Sequence, residues 1–172
     1  IADSGNNEVR IAVPETQGQL VNVSARTLVG TGESALILGT VVGGGSAATS
    51  KPLLIRAVGP SLVGYGVAGA LADPTLELYL QGASYPIATN NDWGGTPAIV
   101  AAANLVGAFP LVDSSSKDAA LLFTASANAY STKVAGTSGS TGIALAELYD
   151  AGDDTLAPSA QRLVNMSVRA QV

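Results

Sequence analysis

The stretch Asp118–Asp150, DAALLFTASANAYSTKVAGTSGSTGIALAELYD, decides the fold. It holds three short apolar runs, DAALLFT, NAYSTKVAG and GIALAELYD, parted by polar or Gly-containing turns, and so predicts three successive strands. Upstream, TLELYLQ (Thr75–Gln81) sets Leu76, Leu78 and Leu80 on one face, and SYPIATN (Ser84–Asn90) ends in the turn cluster Asn90-Asn91-Asp92, which predicts a hairpin. KPLLIRAVG (Lys51–Gly59) is a further strand, closed by Gly59-Pro60. Further out, QLVNVSAR (Gln19–Arg26) puts Val21, Val23 and Ala25 on one face and Asn22, Ser24 and Arg26 on the other. The turn Gly30-Thr31-Gly32 leads from it into SALILGTVVG (Ser34–Gly43), and the two segments are expected to form a second hairpin. QRLVNMSVRAQV (Gln161–Val172) supplies a last strand beyond the soft segment AGDDTLAPSA.

One helix is expected after Thr96, a candidate N-cap, with Pro97 at its first position, a stripe of Ile99, Ala103 and Val106, and Gly107 as its stop. About nine short strands with one short helix define an all-β chain, a two-sheet, jelly-roll-like β-sandwich. The expected organisation is an arm over residues 1–18 with an exchangeable strand, a sandwich over 19–150, and a linker with a C-terminal strand over 151–172.

Composition narrows the function. Hydrophobic residues make up 47% of the chain and charged ones 12%, which excludes disorder, and 20 Gly suit tight turns between strands. The net charge of −5, with scattered basic residues, excludes a nucleic-acid or anionic-membrane footprint. No apolar run approaches the roughly 18 residues of a membrane span, because Asn104, Gly107 and Pro110 break the longest one. The polar opening IADSGNNEVR lacks the character of a signal peptide, so the sequence reads as a mature chain. Cysteine is absent, which rules out disulfides and thiolate metal sites. Richness in Gly, Ser, Thr and Ala with few Lys points to an extracellular or cell-surface protein.

The chain has no His and no Cys, so Ser-His-Asp and Cys-His nucleophiles and the usual zinc sites are impossible. The remaining enzymatic reading is a carboxylate pair, Glu77 and Glu147, each in a Glu-Leu-Tyr run. Both alternate with core-facing Leu, which places them on solvated faces and argues against catalysis. No cofactor is expected, and the chain reads as a non-enzyme. Two oxygen-rich turns, Asp150 with Asp153 and Asp154, and Asn90 with Asn91 and Asp92, are candidate weak calcium sites; local hydrogen bonding explains the same residues. Trp93 is either a carbohydrate platform or a loop anchor, the anchor being favoured. The sequons at Asn22 and Asn165 fall inside predicted strands, which argues against glycosylation.

LVNVSAR at Leu20–Arg26 and LVNMSVR at Leu163–Arg169 agree at five of seven positions, and both differences exchange apolar for apolar. The shared phase is the mark of a tandem unit followed by the start of another. LLIRAVGPSL, GALADPTLELY, NNDW, GAFPL, DAALLFT and GTSGSTGIALAELYD together resemble an uncharacterised domain repeated in large secreted bacterial proteins, over most of Leu20–Asp150. Ser126–Ala129 stands where that family tends to place a Pro-Gly turn before the Tyr. The order of LELY, NNDW and the late Tyr-x-x-x-Val-x-Gly run is also distantly similar to the bacterial pre-peptidase C-terminal sandwich, whose relatives include calcium binders.

These readings lead to a secreted structural subunit whose partner is another copy of itself, joined into a filament or surface layer by strand exchange. The preferred donor is the C-terminal strand, burying Val164, Met166 and Val168, and the second choice is the arm, through Val9, Ile11 and Val13. The other functional class is a non-catalytic binding or spacer module of a secreted enzyme or adhesin. The sequence itself names no carbohydrate or other surface ligand.

Overall fold

The computed structural model describes residues 2–3, 8–9, 19–46, 49–152 and 160–170. Two antiparallel sheets face each other. The first has the order β3 (Asn22–Val29), β10 (Gly142–Asp150), β5 (Lys51–Val58), β8 (Ala119–Ala125). The second runs β11 (Arg162–Arg169), β4 (Leu36–Gly43), β9 (Asn128–Gly136), β6 (Pro74–Leu80), β7 (Ala88–Asn90). At the N-terminus β1 (Ala2–Asp3) pairs with β2 (Glu8–Val9). The two-sheet β-sandwich expected from the alternation is therefore present.

Period-two patterning builds the core. Leu36, Leu38 and Val42 of β4 and Leu76 and Leu78 of β6 point inward from the five-stranded sheet. Ile55, Ala146 and Leu148 meet them from the four-stranded sheet. All of these are essentially inaccessible to water, and each large side chain so buried stabilises the fold by about 1.5–3 kcal/mol before ordering costs.

The expected hairpin between β3 and β4 does not form. They lie in different sheets, and a 3-10 turn at Gly32–Ser34, with Gly32 at φ 59°, carries the chain across the sandwich. Alternation specifies which face of a strand is buried and not which strand lies beside it: Val29 and Leu36 are both 0% exposed, facing the same interior from opposite walls. From β3 to β11 the chain changes sheet at every connection except β6 to β7, where the expected hairpin is present, pairing Leu76 with Asn90.

The C-terminal strand also sits differently from its assignment outside the sandwich. β11 is the edge of the five-stranded sheet, paired antiparallel with β4, and Leu163 is part of the core. Leu20 forms a bridge to Leu163, so the two similar segments meet at their starts and occupy one edge of each sheet.

The helix α1 (Pro97–Leu105) begins after Thr96 as expected, with Pro97 in the first turn and Gly107 at φ 69° past its end. The Thr96 hydroxyl does not cap it; it donates to the Trp93 carbonyl. Ile99, Ala102 and Ala103 pack with Trp93 on Leu54 and Ala120, so α1 covers the outer face of the four-stranded sheet.

Leu71 is the wedge between the end of β5 and the start of β10, exchanging hydrogen bonds around Ile143 through its own N–H and the Gly69 carbonyl. A Cβ on Gly59 would lie 2.0 Å from the Leu71 carbonyl oxygen, whereas one on Gly64 meets nothing within 4 Å. Gly59→Ala should therefore destabilise by about 1–3 kcal/mol or more, through forced backbone movement. Gly64→Ala should be neutral or stabilising by up to about 1 kcal/mol. Urea unfolding of the two variants measures the contrast.

Candidate functional site

The outer face of the four-stranded sheet carries the most elaborate polar construction among the described residues. Register places Arg56 of β5 directly opposite Glu147 of β10, both side chains outward from the core yet only 1% and 4% exposed. Arg56 Nε donates to Glu147 Oε2 at 2.8 Å, and Nη2 contacts the same oxygen at 2.6 Å. Glu147 Oε1 accepts from the Tyr149 hydroxyl at 2.8 Å. Arg56 Nη1 donates to the Phe109 carbonyl at 2.6 Å, and its guanidinium lies 4.6 Å from the centroid of the Phe109 ring. The pair thus ties the segment after α1 onto the sheet.

Phe109 meets Tyr65 edge to face, with ring centroids 5.0 Å apart. Tyr65 ends the 3-10 turn Pro60–Tyr65, whose start is fixed by the fully buried Asp118. That carboxylate accepts from Gly59 N, Ser61 N, the Ser61 hydroxyl and the Ser116 hydroxyl. Between this aromatic wall and β3 lies a groove of about 430 Å³ lined by Ser24, Arg26, Leu62, Tyr65, Val67, Phe109 and Leu145.

Glu147 therefore corrects the expectation of a solvated glutamate. Alternation correctly puts it outside the core, but α1 and the chain after it cover that outer face, and no local pattern reveals a cover made from sequence-distant residues. Glu77 is about one-third exposed on the outer face of the other sheet, so the two carboxylates do not form an acid and nucleophile pair. The repeated Glu-Leu-Tyr run is instead one structural device used twice. Glu77 faces Lys133 across the strand pair at 2.9 Å and accepts from Tyr79, as Glu147 does from Arg56 and Tyr149. The hydrogen bond from Lys133 holds the Glu77 carboxyl below its usual range, with Tyr79 helping and burial opposing.

The two candidate calcium turns are already bonded internally. Asp150 accepts from Gly152 N and pairs with Lys51 at 2.7 Å, a buried contact that places an ammonium where a cation would sit. Asn90 caps Ala120 N and donates to the Asp92 carbonyl, Asn91 accepts from the Thr137 hydroxyl, and Asp92 pairs with Lys117. Asp153 and Asp154 lie outside the described residues. Trp93 is 8% exposed and donates from its indole nitrogen to the Asp113 carbonyl, so it anchors its loop.

Of the assembly residues, Ile11 and Val13 lie outside the described residues, and Val9 belongs to β2. In β11 a bulge between Leu163 and Asn165 shifts the phase. Leu163 is therefore the buried anchor at 2% exposure and Val164 is 44% exposed instead of inward-facing, whereas Met166 packs partly on the core and Val168, paired with the inward-facing Leu38, shares that face but is 41% exposed at the sheet edge. Leu163 escaped the sequence reading because alternation counted from Val164 passes over it, although the adjacent apolar pair Leu163-Val164 marks the place of the bulge; Tyr65 and Phe109 escaped it because their pairing is made by two loops. Compared with known proteins, the chain matches no family model, no curated protein and no solved structure.

Glu147→Gln leaves the Arg56 charge buried without its partner and should destabilise by about 3–5 kcal/mol. Glu77→Gln, at a partly solvated pair, should cost under about 1 kcal/mol. Thermal or denaturant unfolding checks the difference. Burial, then the hydrogen bond to Glu147 and its negative charge, push the Tyr149 phenol up to about 12, with Arg56 opposing. A phenol whose folded-state value is raised gives stability that is complete below its unfolded value, about 10, and lost as pH rises through about 12. Alkaline unfolding should accordingly depend less on pH above 10 in Tyr149→Phe, and a phenolate absorbance step near pH 12 should vanish in that variant.

Proposed function

We propose that this protein is an extracellular structural subunit that joins copies of itself into a filament or surface layer by exchanging its C-terminal strand. The supporting observation is the seat of β11. At a sheet edge it pairs with one strand, β4, and meets Leu20 only at the single bridge of Leu163; six of its eight residues are exposed, and Leu163 is its one fully buried side chain. The main-chain hydrogen bonds to β4 and the burial of Leu163 and Met166 re-form unchanged when the strand comes from a neighbour, so exchange replaces equal contacts with equal contacts. A head-to-tail exchange leaves an open seat at one end and an unplaced strand at the other, which yields an open chain unless the rotation closes a ring. The resemblance of the LLIRAVGPSL to TGIALAELYD segments to a repeated domain of large secreted bacterial proteins supports the same placement outside the cell. The absence of His and Cys supports a subunit without catalysis.

The second reading, a spacer or binding module of a secreted protein, is favoured by the cis seat itself, because β11 completes the sandwich within one chain.

Gly39 and Ser167 are cross-strand partners, and a Cβ at Gly39 would lie 3.8 Å from that of Ser167, the separation a disulfide requires. In a chain without cysteine, Gly39→Cys with Ser167→Cys reports where β11 sits. At high concentration the oxidised protein should run as a ladder of covalent oligomers on a non-reducing gel, accompanied by filaments in electron micrographs. Leu163→Asp should abolish both. A single internally bridged monomer at every concentration would be fatal to strand exchange and leave the module reading in its place.

A further inference from the structure

We propose that the groove between β3 and the Tyr65–Phe109 wall binds an acidic pyranose, a uronate unit of a polysaccharide or the free sugar acid. Three features meet there. Tyr65 is 62% exposed although its ring meets Phe109 in a T-shaped contact and its turn is fixed through Asp118, so an aromatic ring held in place is presented to solvent. A single exposed large apolar residue is ordinary on a protein surface, but this one forms the wall of a concavity whose floor includes Leu62, Val67 and Leu145. At about 430 Å³ the groove falls within the usual range for small-ligand sites, roughly 300–1,000 Å³.

The polar chemistry selects the ligand. Ser24 and Arg26 project from β3 into the groove, and among the described residues neither side chain has a hydrogen-bond or ion-pair partner. Arg26 is the one charged residue in the lining; Arg56 and Glu147, buried on the same face of the sheet, neutralise each other. A planar guanidinium with free donors matches a carboxylate bidentately. A hydroxyl such as Ser24 suits a sugar hydroxyl as donor or acceptor. The Tyr65 ring suits the C–H face of a pyranose, which, unlike a flat aromatic ligand, also presents hydroxyls to Ser24. On a chain of net charge −5, an unpaired arginine beside an aromatic wall selects an anion by local contact and not by long-range attraction. The site lies on the opposite sheet from the β4–β11 seam, so it does not depend on strand exchange.

Calorimetry with the intact protein tests the assignment, using galacturonic acid, its polymer, glucose and a neutral glucose polymer as probes. The acidic probes should bind and the neutral ones should bind at least about tenfold more weakly, the usual worth of a charged hydrogen bond. Arg26→Gln should erase that preference, and Tyr65→Ala should abolish binding, while both variants keep the unfolding midpoint of the parent because both side chains are outside the core. Binding of the polymer alone would identify a polysaccharide as the source, and equal binding of the free acid would identify the soluble sugar acid; either supports the site. Absence of binding by both acidic probes, equal binding of the neutral ones, or binding unaffected by both substitutions would overturn it.

Discussion

The ion pair between Arg56 and Glu147 is the interaction on which the outer architecture depends. A buried pair of this kind contributes little net stability over apolar side chains of the same volume, because removing two charges from water offsets most of their attraction. Its effect lies in geometry. It fixes Leu148 and Ile55, its neighbours on the two strands, toward the core, since a slip of one residue between β5 and β10 would split the pair and drive one of the two charges inward. Through Arg56 Nη1 and the Phe109 carbonyl it then holds the segment that leaves α1 against the sheet. The position of Phe109 in turn sets that of Tyr65, so the groove beside β3 is shaped by an interaction of sequence-distant residues.

Asp118 performs the corresponding task at the end of β5. Its carboxylate gathers the backbone of Gly59 and Ser61 and the hydroxyls of Ser61 and Ser116, while its own carbonyl accepts from Trp93 N. A fully buried carboxylate is tolerated because several donors surround it, and the consequence is that three loops share one anchor. Ion pair and anchor together explain why a chain of Ala, Gly and Ser can hold long connections rigidly: polar side chains do locally what large apolar ones do in the core.

How much of this was legible in the sequence follows from what each pattern encodes. Strand positions and inward faces were readable because Leu76, Leu78, Ala146 and Leu148 repeat at period two, and the helix because Pro97 and Gly107 bracket it. Sheet membership was not, because β3 and β4 carry the same alternation whether they pair or face each other across the core. The solvated reading of Glu147 failed for a related reason, since a strand's outer face is polar in pattern whether it meets water or a covering segment. The bulge at Leu163 to Asn165 left one trace, the adjacent apolar pair Leu163-Val164 that interrupts the alternation of LVNMSVR, but which of the two turns inward is set by pairing with β4. Arg26, by contrast, was placed correctly on the outward face of its strand; only its neighbours Tyr65 and Phe109 were out of reach of a local reading.

The two similar segments give the molecule a directional edge. Leu20–Arg26 and Leu163–Arg169 begin at a common bridge and run along the same side of the sandwich, one on each sheet, so that side carries two outermost strands with matching Asn, Ser and Arg residues. Edge strands expose unpaired N–H and C=O groups and are ordinarily blunted by charge. Here the only charges are arginines, Arg26 in β3 and Arg162 and Arg169 in β11, and like charges resist edge-to-edge pairing of identical copies. Nonspecific lateral stacking is therefore discouraged at the edge where β11 docks. The contact that remains favourable is one in which β11 enters its own kind of seat beside β4, with Leu163 and Met166 turned into a core, whether that core is its own or a neighbour's.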